Sequence, residues 1–169
     1  MSSPSIQLRS LQPKDFEALV AVENNPNLWR YSNQNAPYSK EVLTSYIENQ
    51  DRSIFEVKQQ RFVITNPNQI PLGFIDLFDF EIVHKRAGVG IVVFEEYRNK
   101  GYAKISLSLL EEYSVNQLNI KNLYANVGAE NKPSIHLFSA AGFQRVGVKK
   151  NWNYYDGQFH DEYLFQKEI

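Results

Sequence analysis

The pattern of apolar and polar residues is most informative between residues 89 and 118. Residues 89–94 are a run of β-branched and apolar side chains, which predicts a buried strand. Residues 103–118 carry apolar side chains at two helical sets of positions: 103, 107 and 110, and 105, 109 and 113. Two such stripes predict a helix that packs against a sheet. A short basic segment that contains glycine joins the strand to the helix.

The rest of the chain divides into similar elements. The predicted strands are residues 6–11, 61–64, 70–80, 89–94, 122–127, 143–148 and 154–165. The predicted helices begin at Pro13, at Ser39, at Ala103 and at Asn131, and the last of them ends at Gly142. Short turns join strands 61–64, 70–80 and 89–94, which is typical of an antiparallel meander. A helical crossover precedes strand 122–127, so this strand is expected to be parallel to strand 89–94.

These elements predict one α/β domain that spans residues 1–169, with a mixed, mostly antiparallel sheet and about four helices. Residues 27–37 form a predicted loop. Trp29 and Tyr31 stand in this loop among Asn, Gln and Ser. Two large aromatic side chains are more than a merely solvent-exposed loop is expected to carry. We expect both side chains to contact a substrate.

Composition excludes several classes of function. The chain has 18 basic and 19 acidic residues, so no overall charge favours nucleic acid or a membrane surface as a partner. It has no cysteine, and its three histidines lack the spacing of metal ligands, so no metal site is expected. The amino terminus has no apolar signal region and no apolar run is long enough to span a membrane, which predicts a cytoplasmic protein.

The segment between strand 89–94 and the central helix predicts an anion site. Arg98 and Lys100 place positive charge beside the amides and the positive dipole end of a helix, where a diphosphate would bind. The segment is not a P-loop, because Gly-x-x-x-x-Gly-Lys-Ser/Thr is absent. Gly88 and Gly90 do not form a dinucleotide fingerprint, because they precede the strand core and not a helix. A tight turn with solvated basic residues is the structural alternative.

Arg98-x-x-Gly101-x-Ala103 resembles the acetyl-CoA signature Arg/Gln-x-x-Gly-x-Gly/Ala of the GNAT acetyltransferases. Residues 127–143 are similar to that family's Asn-x-x-(Ser/Ala)-x-x-Leu-Tyr-x-x-x-Gly-Phe segment. Residues 155–162 are similar to the terminal hairpin of its ribosomal-protein and spermidine N-acetyltransferase branch. The predicted order of strands and helices also resembles the GNAT order over essentially the whole chain.

The resemblance implies that strands 89–94 and 122–127 splay apart and that the pantetheine arm of acetyl-CoA lies in the gap. It assigns cofactor contacts to Val92, Val93, Arg98, Asn99, Lys100, Gly101, Tyr102, Ala103 and Asn131. Val92 and Val93 would contribute main-chain groups, as an added strand does. Asn131 has an alternative role as the N-cap of its helix, and one asparagine can serve either purpose.

Transfer of an acetyl group to an amine requires that the amine lose a proton and that the thiolate regain one. Carboxylates at positions 76, 79 and 81 of the meander are candidates for the base. Alternation along a strand puts Asp76 on the opposite face from the other two, and we favour Asp79. Each of these residues has an alternative as a solvated surface carboxylate. Phe138 replaces the family's tyrosine acid, so Ser134, one turn earlier, is expected to donate the proton, with water as the alternative.

The resemblance therefore predicts an acetyl-CoA-dependent N-acetyltransferase acting on a primary amine, either a small amine or polyamine or a protein N-terminus. The alternative is a non-catalytic module that binds or senses acyl-CoA, which Phe138 favours. Residues 31–36 carry none of the acidic side chains that spermidine enzymes place in this loop, so spermidine is expected to be no better an acceptor than a monoamine. A homo-oligomer is left open.

Overall fold

The computed structural model describes residues 4–169; residues 1–3, the start of the amino terminus that lacks an apolar signal region, lie outside the described part. The strands are β1 (Gln7–Ser10), β2 (Gln60–Thr65), β3 (Pro71–Glu81), β4 (Arg86–Val93), β5 (Asn122–Gly128), β6 (Gln144–Tyr155) and β7 (Gln158–Glu168). The helices are α1 (Phe16–Glu23), α2 (Pro26–Trp29), α3 (Lys40–Glu48), α4 (Ile54–Val57), α5 (Tyr102–Leu118) and α6 (Lys132–Ala140). Short 3₁₀ helices precede α1 and follow β4.

The four predicted helices are the four that are at least eight residues long, α1, α3, α5 and α6. The prediction missed α2 and α4, which have four residues each. Side-chain caps start both of them: Asn25 accepts from the Asn27 amide, and Ser53 accepts from the Phe55 amide. The bounds predicted for the last two strands, 143–148 and 154–165, are also wrong. Strand β6 continues without interruption to Tyr155, with irregular pairing between residues 149 and 153, and β7 begins only at Gln158.

One seven-stranded sheet has the order β1-β2-β3-β4-β5-β7-β6. Every neighbouring pair in it is antiparallel except β4 and β5, which are parallel. The mixed, mostly antiparallel sheet with one parallel pair is therefore confirmed. Asp156 and Gly157 form the turn that joins β6 to β7, and both residues have positive φ.

Alternation along β3 separates two apolar clusters, one on each face of the sheet. Phe74 packs with Leu19 of α1 and Leu43 of α3. Its neighbour Ile75 belongs to the other cluster, which contains Leu107 of α5. Helices α1 and α3 therefore cover one face, the α1 face, while α5 and α6 cover the other, the α5 face.

Candidate functional site

Strands β4 and β5 separate at the centre of the sheet. They pair at only three positions, from Arg86 with Asn122 to Gly88 with Tyr124. Beyond that point β4 continues to Val93 alongside β3, and β5 continues alongside β7. The predicted splay is confirmed, and it leaves a gap between the two carboxyl-terminal halves of the strands.

The register of β3 and β4 decides which main-chain groups face this gap. Val93 lies opposite Gly73, and the next amide, that of Phe94, donates to β3 at 2.9 Å. Hydrogen-bonded and non-hydrogen-bonded positions alternate in an antiparallel pair. The N–H and C=O of Val93 and of Ile91 therefore point away from β3 and into the gap, whereas those of Val92 point towards β3. The sequence analysis missed Ile91, because register is set by a neighbouring strand.

The segment after β4 has the backbone of an anion site. Asn99 and Gly101 both adopt left-handed φ, 60° and 81°. Gly101 is the N-cap of α5 and provides no side-chain cap, so the first amides of the helix lack an intrahelical partner. Nothing lies within 4 Å of the position that a Cβ on Gly101 would take. The space beside Gly101 is therefore open, next to amides at the positive end of a seventeen-residue helix.

Both basic side chains of this segment fold back onto the main chain. The Arg98 Nε donates to the carbonyl of Val93 at 3.0 Å, which links the segment to the edge of the gap. The Lys100 Nζ donates to the carbonyl of Glu96 at 2.9 Å. Tyr102 and Ala103 are the first two residues of α5. The six residues from Arg98 to Ala103 thus connect the edge of the gap to the first turn of α5, as the sequence predicted.

Asn131 is the N-cap of α6, because its Oδ1 accepts from the Ser134 amide at 3.3 Å. The alternative role that the sequence left open for Asn131 is therefore confirmed. The cap uses only the side-chain oxygen, and the amide group Nδ2 is a separate donor. A pantetheine contact through Nδ2 is compatible with the cap, so the two roles do not exclude each other.

Phe138 is a core residue and is 3% exposed. Its ring packs edge-to-face on Phe143 at a centroid distance of 5.1 Å and lies 6.4 Å from Phe165. Ser134 lies one turn earlier on α6 and is partly exposed. A phenyl ring has no proton to donate, so the hydroxyl of Ser134 stays the predicted donor on this helix.

Asp79 lies at a β-bulge that changes the expected alternation of β3. The pairing of β3 with β4 shifts between Phe78 and Glu81, and Asp79 has a φ of 48°. Its Oδ2 accepts from the Tyr124 hydroxyl at 3.2 Å, and Tyr124 also packs on Phe78. The parity argument from sequence is therefore wrong: the extra residue of the bulge brings Asp79 to the same face as Phe78 and Asp76.

Asp79 stands at the closed end of the gap, where β4 and β5 are still paired through Tyr124. Burial, followed by the charge of Asp79 and its hydrogen bond, raises the pKa of Tyr124 to about 12. Tyr124 also lines an open depression of about 690 Å³ together with Arg86 and Lys149. The role of Asp79 as a base remains a prediction.

A second cleft, of about 390 Å³, leads to the open end of the gap on the α1 face. Its walls are α1, α2 and the end of β4, and it is lined by Ala18, Ala21, Val22, Leu28 and Val92, among others. Small apolar side chains of α1 leave this space open beside β4. The sequence did not reveal the cleft, because its two walls are some seventy residues apart in the chain.

Neither of the two aromatic residues expected to contact substrate is among the residues that line this cleft, although Leu28, which precedes Trp29, is. The Trp29 Nε1 donates to the carbonyl of Glu23 at 2.9 Å, which fixes α2 to the end of α1. Tyr31 is 53% exposed. The guanidinium of Arg30 lies 6.0 Å from the Tyr31 ring and 5.8 Å from the ring of Tyr155. The α2 segment therefore meets the tip of the β6–β7 hairpin.

That hairpin carries a hydrogen-bonded cluster that the sequence analysis missed. The Tyr155 hydroxyl donates to Glu130 at 3.2 Å, and His160 Nδ1 lies 3.2 Å from the same carboxylate. The rings of Tyr155 and His160 stack at 3.7 Å. Burial, and then the hydrogen bond to Glu130, raises the pKa of Tyr155. The cluster ties the hairpin to the residue that precedes Asn131.

An ion-pair cluster lies on the α1 face between α1 and the meander. Arg61 of β2 makes a bidentate pair with Asp76 of β3 and a further bond to Glu23 at the end of α1. Its guanidinium lies 5.5 Å from the rings of both Tyr46 and Phe74. Burial opposes the charged form of Arg61, but Asp76 outweighs it and raises the pKa of Arg61 well above its ordinary value.

Two kinds of feature are absent from residues 4–169. In this part of the chain, no three His, Asp or Glu side chains are grouped as metal ligands are. None of the helices described is both long enough and apolar enough to cross a membrane.

The chain is similar to several known proteins. It is 29% identical over 160 residues to the spermidine N(1)-acetyltransferase of Escherichia coli K12, which covers 95% of this chain and 84% of that protein. It is 35% identical over 88 residues to an N-alpha-acetyltransferase of Saccharolobus solfataricus, about half of each chain. Spermidine N-acetyltransferase from Vibrio cholerae in complex with CoA and spermine has the same fold: the TM-score is 0.87, the identity 23%, and the coverage 96% of this chain and 95% of that one. A dodecameric structure of the Vibrio cholerae enzyme gives a TM-score of 0.79 at 24% identity and covers 96% and 93%.

A family model supplies the decisive match. The acetyltransferase (GNAT) domain matches residues 5–144, which include the gap, the segment from Arg98 to Ala103 and α6. The protein is thus an N-acetyltransferase with acetyl-CoA as its co-substrate. The chain belongs to the acetyltransferase (GNAT) domain family.

Proposed function

We propose that residues 1–169 act as one domain that transfers the acetyl group of acetyl-CoA to a primary amine of a small, cationic acceptor. The observation that carries this proposal is the open gap between β4 and β5, which ends at the uncapped amides of α5. A diphosphate at those amides and an extended arm along β4 are what acetyl-CoA offers to such a site.

The proposed cofactor contacts follow the geometry. The diphosphate binds the amides from Arg98 to Ala103, with the charges of Arg98 and Lys100 beside it. The pantetheine arm pairs with the main chain of Val93 and Ile91 and contacts Nδ2 of Asn131. The amide of Val93 or Ile91 then polarises the thioester carbonyl, as an oxyanion-hole donor does. Val92 contributes through its side chain, which lines the neighbouring cleft.

The acceptor enters from the α1 face through the cleft between α1, α2 and β4. Trp29 and Tyr31, which follow the lining residue Leu28 in the chain, are the proposed substrate contacts. Ser134 is the proposed proton donor. Asp79 is the proposed base and acts through water, because it lies near the closed end of the gap. An alkyl amine with a pKa of about 10.4 is mostly charged at neutral pH, and it must lose a proton before transfer. A carboxylate on the α1 face supports that step directly or through water.

The relatives favour a polyamine or a related amine over a protein N-terminus, because the match to the spermidine enzyme covers 95% of this chain and the match to the N-alpha-acetyltransferase 52%. The loop of residues 31–36 nevertheless has no acidic side chain. A cationic acceptor therefore needs its negative partner elsewhere in this protein.

The experiment is a thiol-release assay with acetyl-CoA and three acceptors: butylamine, spermidine and a short peptide with a free N-terminus. We expect thiol release with the amines and a product that carries one added acetyl group by mass spectrometry. Release with the peptide alone would replace the small amine by a protein N-terminus. Release that no acceptor raises above hydrolysis would refute the proposed activity.

We also propose that the chain forms a homo-oligomer through the exposed edge of the sheet. Strand β6 is an edge strand, and the β6–β7 hairpin exposes the large apolar side chains Val146, Val148, Trp152, Tyr154 and Phe159. An apolar edge of this kind is typical of an interface. Sedimentation velocity should show an assembly for the wild type and a smaller species for Trp152→Glu. A monomeric wild type at all concentrations would contradict this proposal.

A further inference from the structure

The cluster of Glu23, Arg61 and Asp76 carries more negative than positive charge. Arg61 pairs with both carboxylates, so the three groups have a net charge of −1. The side chains of Glu23 and Asp76 are only 21% and 18% exposed, which limits the screening of this charge by solvent and salt. Tyr46 does not change the balance: burial raises its pKa to about 12, so the phenol is neutral.

Part of the cluster faces the gap. Asp76 is opposite Gly90 in the register of β3 and β4. Its Oδ2 would lie 3.7 Å from a Cβ placed on Gly90, so the carboxylate lies above the backbone of β4. Gly90 is already beyond the last position at which β4 pairs with β5. Gly90 has no side chain to cover the carboxylate, and the lining of the acceptor cleft begins two residues further along β4, at Val92.

The distance from this carboxylate to the site of transfer is set by the strand. Asp76 is level with Gly90, while the gap-facing amide of Val93 is three residues further along β4 and that of Ile91 one residue further. A strand advances about 3.3 Å per residue, so the carboxylate is roughly 3–10 Å along the strand from the thioester carbonyl. Over most of this distance range, a nitrogen that attacks the thioester carbonyl is too far from Asp76 to bind it. A second nitrogen of the same acceptor, a few bonds away, is close enough.

We propose that the Glu23–Arg61–Asp76 cluster is the specificity determinant that binds the second ammonium group of a diamine or polyamine while its first amine is acetylated. The inference rests on the proposed function and adds to it the site that recognises the non-reacting cation. Asp76 contacts this ammonium group. Because Arg61 carries one positive charge and pairs with two carboxylates, the second carboxylate, from Glu23, leaves the cluster with a net negative charge. Arg61 is a positioning residue, since its bidentate pair holds the Asp76 carboxylate over Gly90.

This site explains how a cation is recognised without acidic residues in the α2 loop. It also changes the expectation from the sequence that spermidine is no better than a monoamine. A purely structural role is the alternative, because the cluster joins α1 to β2 and β3. In that case its removal would weaken the fold and affect every acceptor to the same extent.

The test compares butylamine with diaminobutane, two acceptors of equal chain length that differ in the second amine. For the wild type we expect kcat/KM to be at least about tenfold higher for diaminobutane, which corresponds to about 1.4 kcal/mol. Glu23→Gln should bring this ratio close to one while kcat/KM for butylamine changes by less than about threefold. Asp76→Asn should also bring the ratio close to one, but its kcat/KM for butylamine is not used as a control, because Asp76 is itself a candidate base. Glu23→Gln retains the bidentate pair of Arg61 with Asp76, so it remains informative if Asp76→Asn folds poorly.

Glu111→Gln is the matched control. Glu111 is 18% exposed and ion-paired with Lys167 on the α5 face, remote from the gap. We expect it to lower the melting temperature as the test variants do and to leave the ratio of the two acceptors unchanged. The wild-type ratio should also persist in 0.5 M salt, because a partly buried site is weakly screened.

The outcomes separate this inference from the proposed function. Turnover of butylamine and diaminobutane at equal kcat/KM would overturn the second-ammonium site and leave the acetyltransferase activity intact. A ratio that survives both substitutions would also overturn it, and so would a ratio abolished by salt, which would place recognition at exposed carboxylates. Failure of both amines to react would refute the proposed function together with the inference.

Discussion

Substitution of Gly101 tests the anion site at the start of α5, and two variants separate charge from backbone strain. Gly101→Ala adds a methyl group at a φ of 81°. Nothing lies within 4 Å of that methyl group, so no clash is expected. The remaining cost is the left-handed backbone of a residue with a Cβ, about 1–2 kcal/mol. In a chain of this length, 1 kcal/mol lowers the melting temperature by roughly 2–4 °C.

Gly101→Asp has the same backbone strain and adds a carboxylate at the N-cap position. That carboxylate accepts from the first amides of α5 and occupies the place of the diphosphate. A hydrogen bond to a charged group contributes about 1.5–3 kcal/mol, and the carboxylate also repels the diphosphate. We therefore expect the Kd of coenzyme A to rise by more than tenfold relative to Gly101→Ala, since tenfold is about 1.4 kcal/mol.

Isothermal titration calorimetry with coenzyme A measures the affinity, and scanning calorimetry shows that each variant is folded. Gly101→Ala should bind coenzyme A within a fewfold of the wild type, because it adds no charge and the space around its methyl group is open. If folded Gly101→Asp binds coenzyme A as tightly as Gly101→Ala, the amides of α5 are not the phosphate site, and the argument from the uncapped helix is refuted.

Three further predictions concern the proton donor, the acceptor cleft and acid stability. Ser134→Ala should lower kcat without changing the affinity for coenzyme A; unchanged kcat would assign the proton to water, and Phe138→Tyr would then test whether a hydroxyl at the family position raises turnover. Trp29→Ala should raise KM chiefly for bulky amines, whereas equal losses for all amines together with a lower melting temperature would assign Trp29 to the fold alone. Burial raises the pKa of Asp15, but the hydrogen bonds from Arg9 and from the Gln12 amide outweigh burial, so the pKa lies below its ordinary value of 3.8. Asp15 is a stronger acid in the folded protein than in the unfolded chain. Its ion pair therefore contributes fully to the free energy of unfolding above about pH 4–5, and this contribution is lost as the pH falls below 3.8 towards the pKa of the folded state. Acid titration of Asp15→Asn, which is expected to be less stable at pH 7 and to have a flatter profile below pH 4, measures it; identical profiles would show that the ion pair does not stabilise the fold.

The strand and the helix on either side of residues 98–103 could be predicted because local sequence determines them. A β-branched run, a helical stripe and a glycine with positive φ each depend on residues within one or two turns of the chain. Gly101 and Asn131 took the positions that their neighbours dictated, and Gly142 ended α6 with a φ of 89°. The splay of β4 from β5 was not visible in these patterns. It came from the resemblance to a family and was confirmed by the pairing of the strands.

The bulge at Asp79 shows where local reasoning failed. Alternation predicts a face only while the strand stays in register, and one extra residue between Phe78 and Glu81 reverses it. Nothing in residues 76–81 marks that insertion, because the partner strand decides where pairing resumes. Ile91 was missed for the same reason, since the direction of its main-chain groups follows from the pairing of β4 with β3.

By itself, the amino-acid sequence determined the order of the long helices and strands, the glycine-containing turn before α5 and the resemblance to the family. These features depend on apolar spacing, caps and short motifs. Only the tertiary structure brought Glu23, Arg61 and Asp76 together, across 38 and 15 residues of chain. In the sequence, nothing indicates that these three charged residues are neighbours. The partly buried cluster with its net negative charge forms only when α1 packs on the sheet. In the proposed function, recognition of the acceptor depends on packing between distant segments, whereas the diphosphate of the cofactor is bound by one short segment, from Arg98 to Ala103.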